Sequence, residues 1–141
     1  MKRNLEKIKE IISNPHEIKK TNMPNLLKNF FDKYIKISHI EKYIGDYPTF
    51  IEPVYLEENI KIGDDVLLGP NVYIGANSEI GDYVEISNTI IFEDVIIGDN
   101  FNLENCIIAN NTQLSFSNYR IKDCILRGLA NSERELEKFE F

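Results

Sequence analysis

Residues 60–81 read IKIGDDVLLGPNVYIGANSEIG, and this stretch decides the fold. A large aliphatic residue occupies every sixth position, and glycine follows it at Gly63, Gly69, Gly75 and Gly81. The residue two positions before each aliphatic is mostly small or β-branched. A helix repeats every ~3.6 residues and a strand every two, so a period of six predicts one short strand and one bend per unit.

The six-residue column continues on both sides of this stretch. Its members are Phe50, Leu56, Ile62, Leu68, Ile74, Ile80, Ile86, Ile91, Ile97, Leu103, Ile108 and Leu114. Units of five residues end at Ile91 and Ile108, and Arg120 breaks the column before Leu126 restores it. The break predicts a distorted corner over residues 115–120. Because glycine adopts a positive φ without a steric penalty, we interpret the glycines that follow the column as bends.

Three six-residue sides close a triangular coil of about 18 residues, and stacked coils place parallel strands about 4.8 Å apart. Three similar tetrapeptides support this interpretation, because NTII at 88–91, NCII at 105–108 and DCIL at 123–126 recur at offsets of 17 and 18 residues. Residues 50–126 are therefore predicted to form about four coils, in which Asn88 and Asn105 belong to one polar ladder with Asp123.

The two parts of the chain differ in pattern and charge. Residues 1–43 have apolar residues at helical spacing and a net charge of +5, whereas residues 44–141 hold all seven glycines and a net charge of −12. We divide the chain into a helical segment (1–43), stacked coils (44–128) and a C-terminal capping helix (129–141). The helix is predicted because SEREL at 132–136 matches a capping box. The front helices are expected to cover the first coil and the C-terminal helix the last one.

Composition limits the classes of function. The chain has 141 residues and a net charge of −7, which disfavours nucleic-acid binding because phosphate affinity requires clustered positive charge. It contains no apolar run of about 18 residues, so no membrane span is expected. Two cysteines cannot form a disulfide framework, and the start of the chain does not resemble a secretory signal. A cytoplasmic location is therefore expected.

The repeat units carry a family resemblance. Ile62-Gly63, Leu68-Gly69, Ile74-Gly75 and Ile80-Gly81 resemble the hexapeptide-repeat family, whose fold is a left-handed parallel β-helix. The stretch NTIIFEDVIIG at 88–98, followed by NCII at 105–108, is similar to the C-terminal β-helix of sugar-1-phosphate nucleotidylyltransferases. The resemblance covers about residues 50–126. It implies a mainly β fold, a left-handed parallel β-helix of about four coils between helical ends.

The resemblance also bears on catalysis. Nucleotidylyltransferases do their chemistry in an N-terminal α/β domain with a glycine-rich loop, and residues 1–43 contain no glycine. Related β-helix acetyltransferases use a coil histidine as a general base, whereas His16 and His39 are both expected outside the coils. A β-helix carbonic anhydrase needs three histidines for zinc, and this chain has two. We predict no catalytic residue, no metal and no cofactor, with acetyl-CoA as the alternative.

Several polar groups are candidate sites, each with a structural alternative. Tyr119, Arg120 and Arg127 are expected to cluster at the distorted corner, where they could contact a phosphate-bearing ligand. Asn88 and Asn105 belong to a ladder that either lines a ligand groove or makes hydrogen bonds within the turns. Other pairs are interpreted structurally, as stacked thiols or turn residues, rather than as metal, redox or catalytic groups: Cys106 with Cys124, Asp64 with Asp65, and Glu57 with Glu58.

One stripe suggests an interface. Ile90, Ile107 and Ile125 lie next to inward residues, so they should point outward and form an exposed apolar stripe. Leu136 and Phe139 of the predicted C-terminal helix are further candidate interface residues. The resemblance implies assembly through coil faces, commonly as trimers. The partner is therefore predicted to be a second copy of the chain or a catalytic nucleotidylyltransferase.

Two functional hypotheses follow. The first is a non-catalytic oligomerisation or regulatory module related to the C-terminal domain of sugar-1-phosphate nucleotidylyltransferases. The second is an acyl-CoA-dependent acetyltransferase that acts on an amino sugar or a nucleotide sugar. The absence of a coil histidine favours the first hypothesis.

Overall fold

A triangular β-solenoid preceded by three helices forms the molecule, and the computed structural model describes all 141 residues. The helices are α1 (Lys2–Ile12), α2 (Pro15–Lys20) and α3 (Met23–Tyr34). The strands are β1 (Thr49–Phe50), β2 (Val54–Leu56), β3 (Lys61–Ile62), β4 (Leu67–Leu68), β5 (Val72–Ile74), β6 (Glu79–Ile80), β7 (Glu85–Ser87), β8 (Thr89–Ile91), β9 (Ile96–Ile97), β10 (Phe101–Ile108), β11 (Gln113–Leu114), β12 (Tyr119–Arg127), β13 (Leu129–Ala130) and β14 (Glu137–Glu140). No helix is long and apolar enough to cross a membrane.

The solenoid has three faces of parallel strands. Face A contains β1, β4, β7 and the first halves of β10 and β12. Face B contains β2, β5, β8 and the second halves of β10 and β12, and face C contains β3, β6, β9, β11 and β13. The predicted register is confirmed, because Ile90 pairs with Ile107, which pairs with Ile125. Each coil runs from face B to face C to face A.

Alternation along each short strand fills the interior. The two columns read from the sequence point inward, and the residue between them points outward. The interior cluster contains 23 buried residues that continue from Val54 to Ala130. At the irregular corner before β12, Tyr119 and Ile121 take the inward positions opposite Phe101 and Leu103, which explains why Arg120 interrupts the column.

The first coil begins earlier than predicted. His39 pairs with Tyr55 and Ile44 pairs with Lys61, so residues 39–50 form a further coil and the solenoid has about five turns rather than four. Backbone hydrogen bonds build this coil, including one from the His39 N–H to the Val54 carbonyl at 2.9 Å. Its sequence lacks the inward columns that make the other coils readable. The prediction that His39 lies outside the coils is therefore wrong.

The glycines have a different role from the one predicted. Only Gly69 and Gly128 have a positive φ, whereas thirteen non-glycine residues do, eleven of them Asn or Asp at the corners. Asn and Asp tolerate this conformation better than other side chains. The remaining glycines lie where coils touch: a Cβ on Gly98 would lie 1.8 Å from the Phe116 carbonyl oxygen, and one on Gly63 would lie 2.6 Å from the Gly81 carbonyl carbon. Close coil stacking, not a bend, requires glycine there.

The helices cover face B rather than the first coil. Their apolar residues, such as Leu27 and Phe30, form one buried cluster with Ile90, Ile107 and Ile125, each of which is 0% exposed. The isoleucine stripe points outward from the coils as expected, but the prediction that it is exposed is wrong. The stripe and the amphipathic helices are complementary apolar surfaces of the same chain, and each removes the other from water.

The loops between the helices contain side-chain caps for α2 and α3. Asn14 and Asn22 accept hydrogen bonds from the backbone N–H groups of His16 and Asn25, at 3.0 and 3.2 Å. Pro15 and Pro24 occupy the first turns of α2 and α3, where a missing N–H is tolerated.

The C-terminal segment closes the last coil as a strand rather than a helix. After a single 3-10 turn at Glu133–Glu135, β14 runs antiparallel to β12, with Phe139 opposite Ile125. The unpaired edge of β12 offers backbone hydrogen bonds that a short isolated helix cannot match. Leu136 packs against the solenoid core and Phe139 against the helix cluster, so both proposed interface residues make contacts within the chain.

Arg127 fastens three parts of the molecule together. Its guanidinium donates hydrogen bonds to the Ile12 carbonyl at the end of α1 (3.1 Å) and to the Glu137 carboxylate on β14 (2.8 Å). It also lies 4.8 Å from the centre of the Phe139 ring. The guanidinium of Arg127 therefore links the last coil to α1 and to β14.

We predict that Ile107→Asn destabilises the chain far more than Ile96→Asn. Both side chains point outward from the coils, but Ile107 is 0% exposed beneath the helices and Ile96 is half-buried on face C. Burying an amide without partners and opening a cavity should lower the free energy of unfolding by more than about 3 kcal/mol at Ile107 and less than about 1 kcal/mol at Ile96. Urea denaturation measures both, and equal losses would contradict the covered stripe.

We predict that Arg127→Ala lowers the free energy of unfolding by about 1.5–3 kcal/mol, because it removes two charge-assisted hydrogen bonds. Arg120→Ala is the matched control, since Arg120 is exposed and makes no ion pair. Its effect should stay within about 0.5 kcal/mol. Chemical denaturation of both variants is the measurement, and a harmless Arg127→Ala would refute the fastening role.

Candidate binding grooves and surfaces

The asparagine ladder is engaged in hydrogen bonds within the molecule. The Asn88 amide donates to Asn105 at 2.8 Å, and the Asn105 amide donates to Asp123 at 2.6 Å. All three residues have a positive φ, so they also form the corners between face A and face B. Hydrogen bonding within the turns, and not a ligand groove, therefore accounts for these side chains. Each amide donor that links two coils is directed at the next ladder residue.

Tyr119 and Arg120 line the same groove on face A, but only the Arg120 side chain is exposed to solvent. The groove has a volume of about 520 Å³ and is also lined by Lys122, Lys138 and Glu133. Arg120 is exposed, whereas the Tyr119 ring is buried and packs edge-on against Phe101 at 5.7 Å. Burial, followed by the nearby Glu133 carboxylate, raises the pKa of Tyr119 to about 12. Three cations and two carboxylates, including Glu104, give this groove a mixed charge.

Arg127 does not join this pair. It lines a separate groove of about 400 Å³ beside the end of α1, with Lys9 and Asn110. The extended strand β12 separates Arg120 on face A from Arg127 at the end of face B. The predicted cluster of Tyr119, Arg120 and Arg127 is therefore wrong for Arg127, whose guanidinium is committed to the contacts described above.

His39 begins an aromatic stack on face B. Its ring lies 4.6 Å from the Tyr55 ring, which lies 5.6 Å from the Tyr73 ring. The buried Tyr73 hydroxyl donates to the Glu57 carboxylate at 3.0 Å, and burial, followed by this carboxylate, raises the pKa of Tyr73. The helices cover the inner part of the stack, since Phe30 meets Tyr73 edge-on at 6.0 Å. His39 stands at its open end.

A groove of about 470 Å³ adjoins His39. It is lined by His39, Glu41, Lys42, Leu56, Glu57, Glu58 and Asn59. The Glu41 carboxylate lies 3.8 Å from His39 Nδ1, and the histidine side chain is 40% exposed. A half-exposed imidazole beside a carboxylate is a side-chain arrangement found in general-base catalysis. Sequence reasoning missed this groove, because Ile44 pairs with Lys61, at an offset of 17 residues, and not with Ile62 as the 18-residue repeat would require.

The cysteines form the predicted buried pair. Both thiols are free, fully buried and separated by 3.7 Å between their sulfur atoms. The hydrogen bond with Cys106 and the loss of solvent raise the pKa of Cys124. A raised pKa disfavours the thiolate, which is the reactive form and the metal-binding form.

The paired carboxylates occupy corners. Asp65 has a positive φ of 54°, which suits a turn residue, and Glu57 is engaged by Tyr73. No group of three or more His, Cys, Asp or Glu side chains is arranged to hold a metal ion. His16 is exposed at the start of α2, where its backbone N–H, rather than its ring, makes the capping contact.

Comparison with known proteins agrees with this architecture. The family model described as the GMPPB C-terminal domain matches residues 50–132, which is more than half of the chain. Neither the curated proteins nor the solved structures contain a significant match. The matched residues run from the end of β1 through β13, so the match covers the solenoid apart from its first coil and β14. The chain belongs to the family of GMPPB C-terminal domains, which are C-terminal domains of sugar-1-phosphate nucleotidylyltransferases.

Proposed function

We propose that this chain is a non-catalytic assembly or regulatory module related to nucleotide-sugar biosynthesis. It forms a homo-oligomer, with three copies as the simplest arrangement, or holds a catalytic nucleotidylyltransferase partner. The observation that carries this proposal is the continuous 23-residue apolar core, which fills the coil interior from Val54 to Ala130. A filled solenoid presents rigid, flat outer faces, and such faces suit protein association better than enclosure of a substrate.

The arrangement around the solenoid supports the same function. Face B is closed by the chain's own helices and β14, while faces A and C carry no covering element. Face A presents Leu67, Glu85, Asn102 and Arg120 in register, which is a mixed surface of the kind found in non-obligate interfaces. The match to a C-terminal domain of nucleotidylyltransferases supports the proposed relation to nucleotide-sugar biosynthesis.

We predict that the purified chain sediments at a multiple of its 16.4 kDa mass. Calorimetric titrations with acetyl-CoA, nucleoside diphosphate sugars and sugar phosphates should show no saturable heat. Analytical ultracentrifugation and calorimetry measure the two properties independently. A monomeric mass would contradict self-assembly, and saturable heat with acetyl-CoA would contradict the non-catalytic role.

A second candidate is an acetyltransferase, and one observation favours it. His39 lies in a coil, beside Glu41, at the mouth of a groove. We propose for this candidate that His39 removes a proton from an amino group of the acceptor sugar. The nitrogen then attacks the thioester carbonyl of acetyl-CoA, an amide bond forms, and the coenzyme leaves as its thiolate.

We predict for this candidate that His39→Gln reduces thiol release from acetyl-CoA by roughly a hundredfold or more, because general-base catalysis contributes about that much. His16→Gln is the matched control, since His16 is exposed on α2 and lies outside the coils. The assay follows free thiol in the presence of amino sugars and amino nucleotide sugars. Absence of thiol release by the unaltered chain, or equal rates for both variants, would eliminate this candidate.

A further inference from the structure

One corner of the solenoid is a ridge of aspartates. It lies between face C and face A, and in each coil the chain passes it just after a face C strand. We call this corner the aspartate ridge, formed by Asp46, Tyr47, Asp64, Asp65, Asp82, Tyr83 and Asp99. No lysine or arginine occurs among the corner residues of these coils. Asp82 and Asp99 accept backbone N–H groups of the preceding coil at 2.8 Å, while Asp46, Asp64 and Asp65 are exposed and make no ion pair.

The opposite side of the molecule is basic. Residues 1–36 hold nine Lys or Arg and four Asp or Glu. The basic helix surface consists of the exposed side chains Lys2, Arg3, Lys7, Lys19, Lys20, Lys28, Lys33 and Lys36. A single ion pair, between Lys9 and Glu93, joins the helices to the coils. Because the helices cover face B and the ridge is the corner opposite that face, the two charged surfaces do not neutralise each other within one chain.

The ridge also presents two exposed aromatic rings. Tyr47 is 94% exposed and Tyr83 is 61% exposed, which is unusual for large apolar side chains of this molecule. They occupy the same corner position two coils apart, where the intervening coil has Asp65. Such a surface suits lysine and arginine side chains, because its carboxylates form ion pairs with them and its tyrosine rings form cation–π contacts with them.

We propose that the aspartate ridge of one copy binds the basic helix surface of a second copy. This inference rests on the self-assembly proposed above and identifies the surfaces that carry it. Two different patches meet, so the contact is head to tail rather than two-fold symmetric, and it closes into a ring when the rotation between copies allows.

Charge screening is consistent with this contact despite the net charge of −7. At physiological ionic strength the Debye length is about 8 Å, so charges farther apart than this contribute little. The approach of two copies is then governed by the local patches that face each other. The eight cations of the basic helix surface on one copy and the five aspartates of the ridge on the other make this pairing attractive.

The first test removes the tyrosine rings without harming the fold. Both tyrosines have a positive φ, at 52° and 58°, and asparagine prefers that conformation. Tyr47→Asn/Tyr83→Asn should therefore keep or raise the melting temperature while it weakens self-association by roughly tenfold or more, as measured by sedimentation equilibrium. An unchanged association constant in this folded variant would overturn the proposal.

The second test exchanges charges between copies. Asp46→Lys/Asp64→Lys alters the ridge, and Lys2→Glu/Arg3→Glu/Lys19→Glu/Lys20→Glu alters the helices. Each variant alone should be monomeric, whereas an equimolar mixture should form complexes that contain both chains, detected by native mass spectrometry. Glu52→Lys/Glu104→Lys is the control, because these exposed acids lie near the corner between face A and face B, away from the ridge. A mixture that stays monomeric, or a control that also dissociates, would overturn the proposal.

The outcomes separate this inference from the proposed function. A monomeric unaltered chain, at salt concentrations from about 0.01 to 1 M, contradicts self-assembly itself. An oligomer whose mass is insensitive to salt and to the ridge variants contradicts the ridge contact alone. In that case, a different surface of the chain holds the copies together.

Discussion

The contact between the backbone of one coil and that of the next is the constraint on which the structure depends. Parallel strands stack about 4.8 Å apart, and at several corners the approach is close enough to exclude a Cβ atom. Gly98 shows this limit, since a side chain there would overlap the Phe116 carbonyl group. Coil stacking also aligns like residues, which produces the asparagine ladder and the pair of cysteine thiols.

The same stacking creates surfaces that the rest of the chain must cover. Outward residues on face B form a continuous row from His39 through Tyr55, Tyr73 and Ile90 to Ile125. Contact of such a row with water is unfavourable, and the amphipathic helices cover the row except at His39, its open end. Strand β14 then pairs with the free edge of β12, and Arg127 joins both additions to the last coil. The helices and the tail are thus integral parts of the solenoid's stability.

Covering face B leaves an asymmetric molecule. One side is basic and the opposite corner is acidic, and the one ion pair between helices and coils, Lys9 with Glu93, involves neither the ridge nor its aspartates. The open end of the aromatic stack places His39 in a groove with Glu41, which is the strongest arrangement for chemistry in the chain. The charged surfaces are the feature expected of a scaffold that assembles through them. The groove at His39 is the feature expected of an enzyme that works at the first coil.

The six-residue repeat by itself determined the coil, the register and the inward columns, because each depends on residues within about 18 positions of one another. It also identified the family to which the chain belongs. Only the tertiary structure decided what covers Ile90, Ile107 and Ile125, since an apolar stripe has the same sequence whether its partner is an internal helix or another molecule. The same applies to His39, which enters a coil through backbone hydrogen bonds that no side-chain pattern records, and to the C-terminal tail, where an available strand edge outweighed the local helix signal. Periodicity specifies which residues share a face, whereas the competition among distant segments for that face is settled only when the chain has folded.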